Sequence, residues 1–191
     1  MRIAPSTMAI IFAVLHCGFV IRCARERDDS GETRIGKIVE IIRDSQFGIH
    51  DISRVEHDEV NGLPRFNMPL ELGLFLGAKS FSDQPIQKKK RCLILDGEPY
   101  RYQKFISDIA GQDIRSHDGK AITAMKQSRD WLATVSNRRL PGPVETERLY
   151  KDFCRDLPDI LVKLALRPEE VQFIEYVKVA MEWLKDRKNS A

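Results

Sequence analysis

The chain has 191 residues, of which 42% are hydrophobic and 31% are charged. This composition excludes a disordered chain or a collagen-like repeat, and it suits one soluble domain with a small appendage. The 31 basic residues nearly balance the 28 acidic ones, and the net charge of +3 does not indicate nucleic acid or a membrane as a partner.

The cysteines and histidines do not show the spacing of a metal site. His50 and His57 have acidic neighbours but no convincing ligand set around them. Four cysteines lie within or beside apolar runs: Cys17, Cys23, Cys92 and Cys154. The sequence therefore predicts reduced, buried thiols in a cytoplasmic protein, with no metal and no cofactor.

The apolar stretch over residues 8–21 resembles a signal peptide only superficially. It is interrupted by His16, Cys17 and Gly18, and it is too short to span a bilayer. It also lacks a small-residue cleavage site before the charged residues that follow. We therefore do not expect a secreted or membrane protein.

The first elements alternate between helical and strand-like patterns. Apolar residues over 8–15 recur at helical spacing on one face, and Gly18 ends this helix. The β-branched and aromatic segment 18–24 predicts a strand. After a polar loop, apolar residues over 35–42 predict a second helix.

A second strand and a third helix follow. Residues 47–53 predict a strand with a polar carboxyl end, and a loop of about a dozen residues leads to Asn67 and Pro69. These two residues indicate a helix start, with Asn67 as the N-cap. Glu71 is then expected in the first turn, where the helix dipole favours its ionised form.

The next segments complete the predicted sheet. A polar loop over residues 80–90 precedes the apolar run 91–96, which predicts a buried parallel strand. We interpret the basic run before it as a solvated loop rather than as a nucleic-acid or nuclear-localisation signal. A helical segment, a short edge strand and another helix are expected at residues 100–109, 112–116 and 121–135. This alternation predicts an α/β fold, a parallel sheet with helices on both faces.

The proline-rich segment 138–145 marks the clearest boundary. We therefore divide the chain into an α/β domain over residues 1–140 and a C-terminal helical hairpin over residues 141–191. The hairpin consists of two amphipathic helices separated at Arg167 and Pro168.

Polar residues at the carboxyl ends of strands are informative in an α/β fold, because ligands bind there. Asp51 and Ser53 end the strand at 47–53, and Glu71 opens the following helix. Two carboxylates across a cleft can hold a sugar and stabilise positive charge while a glycosidic bond breaks. Alternatively, Asp51 only caps a turn and Glu71 only complements a helix dipole.

The motifs HDIS, FNMPLELGLFLGAK and RCLILD resemble the nucleoside 2-deoxyribosyltransferase-like superfamily, which includes TIR-type nucleotide hydrolases. The runs RIGKIVEIIRDSQFGIHDISR, LPRFNMPLELG and YRYQKFISDIAGQDIRSH resemble one uncharacterised bacterial family within it. The resemblance covers roughly residues 8–135 and implies a flavodoxin-like, doubly wound sheet.

One expected strand is missing from this pattern. Members of that superfamily begin with a strand ahead of the first helix, whereas here only MRIAPST precedes the helix. Either the coding sequence begins further upstream or the domain is remodelled. Without this central strand, its two neighbours have exposed edges or pair directly.

The resemblance implies roles for individual residues. Glu71 matches the catalytic glutamate, and Asp51 matches the residue that binds the sugar or orients that glutamate. The other candidates for substrate binding are Ser53, Arg65, Asn67, Asp108 and Asp113. Asp108, Asp113 and His117 all follow the third strand, where a base or a ribose could be reached from the side. Tyr100 and Tyr102 are candidates for stacking on a base, although packing is the commoner role of such aromatics.

The expected activity is cleavage or transfer at an N-glycosidic bond of a nucleoside, a nucleotide or an NAD-like dinucleotide. The alternative is a non-catalytic nucleotide-sensing or interaction module with the same fold. The expected partner is such a small molecule, and neither nucleic acid nor a membrane is expected. A homo-oligomer is expected as well, because members of the superfamily often complete their sites across subunits.

Overall fold

The computed structural model describes residues 3–26, 29–55 and 66–189. Contacts within the chain divide it into two compact units. The sheet unit is Arg22–Gly119, and the helical unit combines the chain up to Ile21 with the chain from Lys120 onward. This division differs from the boundary expected at residue 140, since segments from both ends of the chain form one unit.

The described residues form three strands and seven α-helices. The strands are β1 (Phe47–Asp51), β2 (Arg91–Asp96) and β3 (Ile114–Ser116). The helices are α1 (Pro5–His16), α2 (Arg34–Asp44), α3 (Asn67–Phe81), α4 (Pro85–Lys88), α5 (Ala121–Val135), α6 (Pro143–Lys163) and α7 (Phe173–Asn189). Two 3₁₀ turns, Arg101–Lys104 and Ser107–Ile109, replace the continuous helical segment predicted there. None of the helices in the described ranges is long and apolar enough to cross a membrane.

The sheet is parallel throughout, and β2 lies between β1 and β3. Phe47 pairs with Arg91 at one end of the β1–β2 ladder, and Asp51 pairs with Leu95 at the other. The predicted α/β class is therefore confirmed. β1 and β2 pair directly with each other.

The strand predicted over residues 18–24 is wrong. Gly18 ends α1 with a φ of 73°, and the N–H of Phe19 donates to the carbonyl oxygen of Val14 across the turn (3.1 Å). Val20 beyond it is exposed rather than paired. A β-branched segment becomes a strand only where neighbouring strands and side chains support it, and this segment has no paired strand.

Helix α3 links the two apolar clusters of the sheet unit. One cluster joins α3 to β2 and to the 3₁₀ turns through Ile52, Leu72, Ile94, Tyr102 and Ile109. The other joins α3 to α2 through Ile38, Ile42 and Phe75. Because both clusters include α3, its residues are held in place relative to the sheet.

Lys90, the third lysine of the basic run, is buried rather than solvated. Its Nζ donates to the carbonyl oxygens of Ile42 and Ser45 at the C-terminal end of α2. The same Nζ lies 5.1 Å from the centre of the Phe75 ring. The last carbonyls of a helix lack intrahelical donors, and Lys90 supplies one. Burial lowers the pKa of this lysine.

Helix α1 is the centre of the helical unit and contacts α5, α6 and α7. The Phe12 ring lies 5.3 Å from the rings of Tyr150 and Phe153 and 6.1 Å from that of Trp183. The sequence predicts a single apolar face for this helix. The structure instead buries residues around most of it, because three helices surround it: Ser6, Ala9, Ile10, Ile11, Phe12, Ala13, Val14 and His16.

Candidate functional site

The carboxyl ends of the three parallel strands meet at one edge of the sheet, which we call the carboxyl edge. Asp51 ends β1, Asp96 ends β2 and His117 directly follows β3. The structure brings Asp51 and His117 together, with Oδ1 of the aspartate 3.3 Å from Nε2 of the histidine. Asp51 therefore lies where the sequence predicts a site and has a partner 66 residues further along the chain.

Both ring nitrogens of His117 have partners. The N–H of Gly119 donates to Nδ1 (3.1 Å), so in the neutral ring Nε2 carries the proton that faces Asp51. The hydrogen bond to Asp51 raises the pKa of His117 above its ordinary value of 6.5, although burial opposes this change. The imidazole is therefore protonated more readily than a free histidine.

The pKa of Asp51 is shifted in the opposite direction from that of His117. Its burial disfavours the carboxylate, but hydrogen bonds from His117 and Ser53 outweigh that effect and lower its pKa below 3.8. The Ser53 contribution includes a backbone N–H that donates to Oδ1 (3.0 Å). Asp51 is thus held as an anion at neutral pH.

A second, buried carboxylate lies beside this pair, on Asp96. Its Oδ1 accepts from the N–H of Gly97 (2.6 Å) and from Nη2 and Nε of Arg101 (2.6 and 2.9 Å). Arg101 also donates to the carbonyl oxygens of Ile52 (3.2 Å) and Ser53 (2.7 Å). The other oxygen of Asp96 has no hydrogen-bond partner among the described residues. Arg101 therefore ties the ends of β1 and β2 together.

Glu71 differs from the sequence expectation in two respects. It is the fifth residue of α3, so it lies in the second turn rather than the first. Burial raises its pKa above 4.5, against the opposing effect of Arg34 and Arg25. The nearest Arg34 nitrogen is 4.0 Å from Oε1, too far for a hydrogen bond. The expectation of a carboxylate stabilised by the helix terminus is therefore wrong, because desolvation outweighs the nearby positive charges.

The predicted N-cap of α3 is also wrong. Asn67 is the first helical residue, and Phe66 occupies the cap position without a side-chain cap. Asn67 is exposed at the start of the helix, and the structure does not assign it a ligand. Arg65, the other predicted contact in this loop, lies outside the described residues.

The acidic candidates after β2 are exposed. Asp108 lies in the second 3₁₀ turn, and Asp113 lies just before β3, where it faces Arg115 at 3.8 Å. The hydrogen bonds described above for Asp51, Asp96 and Arg101 do not involve either of them. Their predicted contact with a substrate therefore rests on position alone.

The thiols and histidines do not form a metal centre in the part of the chain that the structure describes. Burial lowers the pKa of His50 to about 4, and its ring lies 5.2 Å from that of Phe75. His57 lies outside the described residues. None of the four cysteines forms a disulfide among the described residues. Cys17 is buried as predicted, whereas Cys23 and Cys92 are half-buried and Cys154 is exposed.

Sequence reasoning missed Asp96 and Arg101. Asp96 is the one charged residue at the carboxyl end of the apolar run RCLILD, and Arg101 follows five residues later. A charged residue that ends a fully buried strand is buried only when it is paired. That rule, applied to Asp96, would have indicated a nearby basic partner.

The Asp51–His117 pair predicts that the free energy of unfolding depends on pH. A raised pKa in the folded state means that His117 stabilises the fold fully below pH 6.5 and that this stabilisation is lost as the pH rises through the folded pKa. His117→Asn is expected to lower the free energy of unfolding by about 1–3 kcal/mol near pH 6, and by less at pH 9. Urea unfolding at both pH values measures this difference.

A matched control exists in the helical unit. Burial lowers the pKa of His16, so its contribution to stability is lost as the pH falls rather than as it rises. His16→Asn is therefore expected to show the opposite pH trend. Equal effects of His117→Asn at both pH values would contradict the assigned role of the Asp51–His117 pair.

Comparison of the chain with protein-family models, with curated proteins and with solved structures gave no match.

Proposed function

We propose that the sheet unit cleaves or transfers at the N-glycosidic bond of a nucleoside, a nucleotide or an NAD-like dinucleotide. In this proposal Glu71 is the catalytic carboxylate and Asp51 binds the sugar. The observation that carries the proposal is the position of Asp51 at the carboxyl edge, 3.3 Å from His117 Nε2, with Glu71 near the start of the following helix. The pKa directions of the two carboxyl groups, downward for Asp51 and upward for Glu71, support it. Carboxyl groups separated in this way are typical of sites where each has a different role.

The topology supports a common location for the two carboxyl groups. Helix α3 follows β1 and leads back to the start of β2, so its first turns lie toward the carboxyl edge. Leu72 and Ile52, the chain neighbours of Glu71 and Asp51, belong to one apolar cluster. The backbone segments next to the two carboxyl groups are therefore held together by packing, which supports a shared site.

The chemistry follows from these environments. When an N-glycosidic bond breaks, the electron pair leaves with the base and positive charge develops on the sugar. A partly desolvated Glu71, once ionised, attracts that charge more strongly than a hydrated carboxylate. Asp51, held ionised by His117 and Ser53, accepts hydrogen bonds from sugar hydroxyls. Water or a second base then takes the sugar, giving hydrolysis or transfer.

The test measures, by chromatography, the release of free base from NAD and from a panel of nucleosides and nucleotides. Glu71→Gln is expected to reduce release at least about 100-fold while the protein stays folded. Glu182→Gln, on the exposed face of α7, is the matched control and is expected to retain full release. Circular dichroism shows that each variant is folded.

Two outcomes would contradict the proposal. Full release by a folded Glu71→Gln protein would remove Glu71 from the reaction. Saturable nucleotide binding by the unmodified protein without any release would favour the nucleotide-sensing module instead.

A further inference from the structure

Tyr100 combines a strained backbone with an exposed aromatic ring. Its φ of 59° lies in the left-handed region, which bulky residues rarely adopt. The residue is nevertheless 72% exposed, so packing of the ring does not compensate for this backbone conformation. Tyr102, two residues later, is instead buried in the core of the sheet unit. Both tyrosines are predicted candidates for stacking on a base, but only Tyr100 is exposed and able to contact a ligand.

The loop that carries Tyr100 is held on both sides. Before it, the N–H of Gly97 donates to Asp96. The carbonyl oxygen of Gly97 lies 3.2 Å from the Ser116 hydroxyl, whose nearer acceptor is Oδ1 of Asp118 (2.7 Å). After it, Arg101 is bound to Asp96 and to the carbonyl oxygen of Ser53. The exposed ring is therefore presented from a rigid support at the carboxyl edge.

The same contacts place Tyr100 near the proposed reaction. Arg101, its chain neighbour, contacts the backbone of Ile52 and Ser53, the two residues that directly follow Asp51. Strained residues persist where the surrounding structure enforces them, and they concentrate at ligand-binding sites. An exposed ring on rigid backbone can stack on a planar ligand group without first being ordered.

We propose that Tyr100 stacks on the base of a nucleotide bound at the carboxyl edge, an inference that rests on the proposed function. The planar face of any base suits such a contact, so Tyr100 supplies affinity for the ring and Asp51 contacts the sugar. A residue that only stabilised the fold would pack its ring inward and would avoid the left-handed region.

The experiment is calorimetric titration of the full chain with AMP, CMP and NAD, and with ribose 5-phosphate as a ligand that lacks a base. Tyr100→Ala is expected to raise the dissociation constant for the base-bearing ligands about 5- to 150-fold. Tyr100→Phe is expected to retain affinity. Binding of ribose 5-phosphate is expected to be the same in all variants, because it has no ring to stack.

Phe81→Ala is the matched control. Phe81 is also a highly exposed aromatic residue of the sheet unit, but it lies at the last residue of α3, away from the carboxyl edge. Its replacement is expected to leave every dissociation constant unchanged.

Tyr100→Gly adds a second readout, because glycine relieves the left-handed strain. We expect that variant to melt no lower than the unmodified protein while losing affinity for the base.

The outcomes separate this inference from the proposed function. Unchanged AMP, CMP and NAD affinity in Tyr100→Ala would overturn the role of Tyr100, whether or not base is released. An equal loss for ribose 5-phosphate would also overturn it, since the loop rather than the ring would then be responsible. Absence of binding by the unmodified protein would overturn both proposals. Binding that depends on Tyr100 without base release would support Tyr100 as a ligand contact and reject glycosidic cleavage.

Discussion

Replacement of Arg101 by methionine is expected to lower the free energy of unfolding of the sheet unit by about 3–5 kcal/mol. Arg101 is the only charged partner of the buried Asp96 carboxylate in the described residues, and the remaining contact to that carboxylate is a backbone N–H. Methionine keeps much of the side-chain volume but cannot donate a hydrogen bond. The loss therefore reports the unpaired Asp96 carboxylate together with the Ile52 and Ser53 carbonyl oxygens that lose the Arg101 donor, rather than a cavity.

The measurement must report on the sheet unit. The chain has two tryptophans, in α5 and α7 of the helical unit, so their fluorescence does not follow the sheet. Amide hydrogen exchange of the β2 residues reports directly on unfolding of the sheet unit. Arg115→Met, at a more exposed arginine of β3, is the control and is expected to cost less than about 1 kcal/mol. Equal losses in the two variants would contradict the buried pairing.

A double variant sharpens this test. If Asp96 is destabilising only when it lacks its partner, then Arg101→Met combined with Asp96→Asn should cost less than the sum of the single changes. Additive losses would show that the two side chains act independently.

Replacement of Lys90 by methionine is expected to cost about 3 kcal/mol. The carbonyl oxygens of Ile42 and Ser45 lose their buried donor, whereas the methionine side chain can still pack on Phe75. Hydrogen exchange of the α2 amides should show the loss most clearly, because both carbonyls that lose the Lys90 donor lie at the end of that helix. The Ile42 carbonyl keeps one donor, the N–H of Ser45 (3.3 Å).

The neighbouring lysine provides the control. Lys89 belongs to the same basic run but is exposed, so Lys89→Met is expected to change the free energy of unfolding by less than about 0.5 kcal/mol. If the two variants were equally stable, Lys90 would have no role as a cap of α2.

Elements with strong local patterns could be predicted from the sequence. Helix α5 has the predicted bounds, and β2 matches the most continuous apolar run, because in both cases the pattern alone specifies the element. The segment at residues 18–24 has a local preference for a strand, yet a strand also needs a neighbour, and local sequence does not specify one.

The site could be predicted only where position in the fold determines it. Asp51 lies at the end of β1, as predicted. Its pairing with His117 and the pairing of Asp96 with Arg101 depend on which strands lie side by side, which the pattern along the chain does not reveal. The direction of the Glu71 pKa could not be predicted either, because it depends on how deeply α3 packs.

The division of the chain has a consequence for its synthesis. Helix α1 packs on helices that begin at Ala121, so a ribosome must complete more than a hundred further residues before α1 meets its partners. At ordinary translation rates this interval is on the order of ten seconds. The sheet unit is contiguous and can fold as soon as Gly119 has left the exit tunnel. Until its partner helices have emerged, the mostly apolar segment that forms α1 cannot pack, so we expect its apolar side chains to be exposed on the nascent chain.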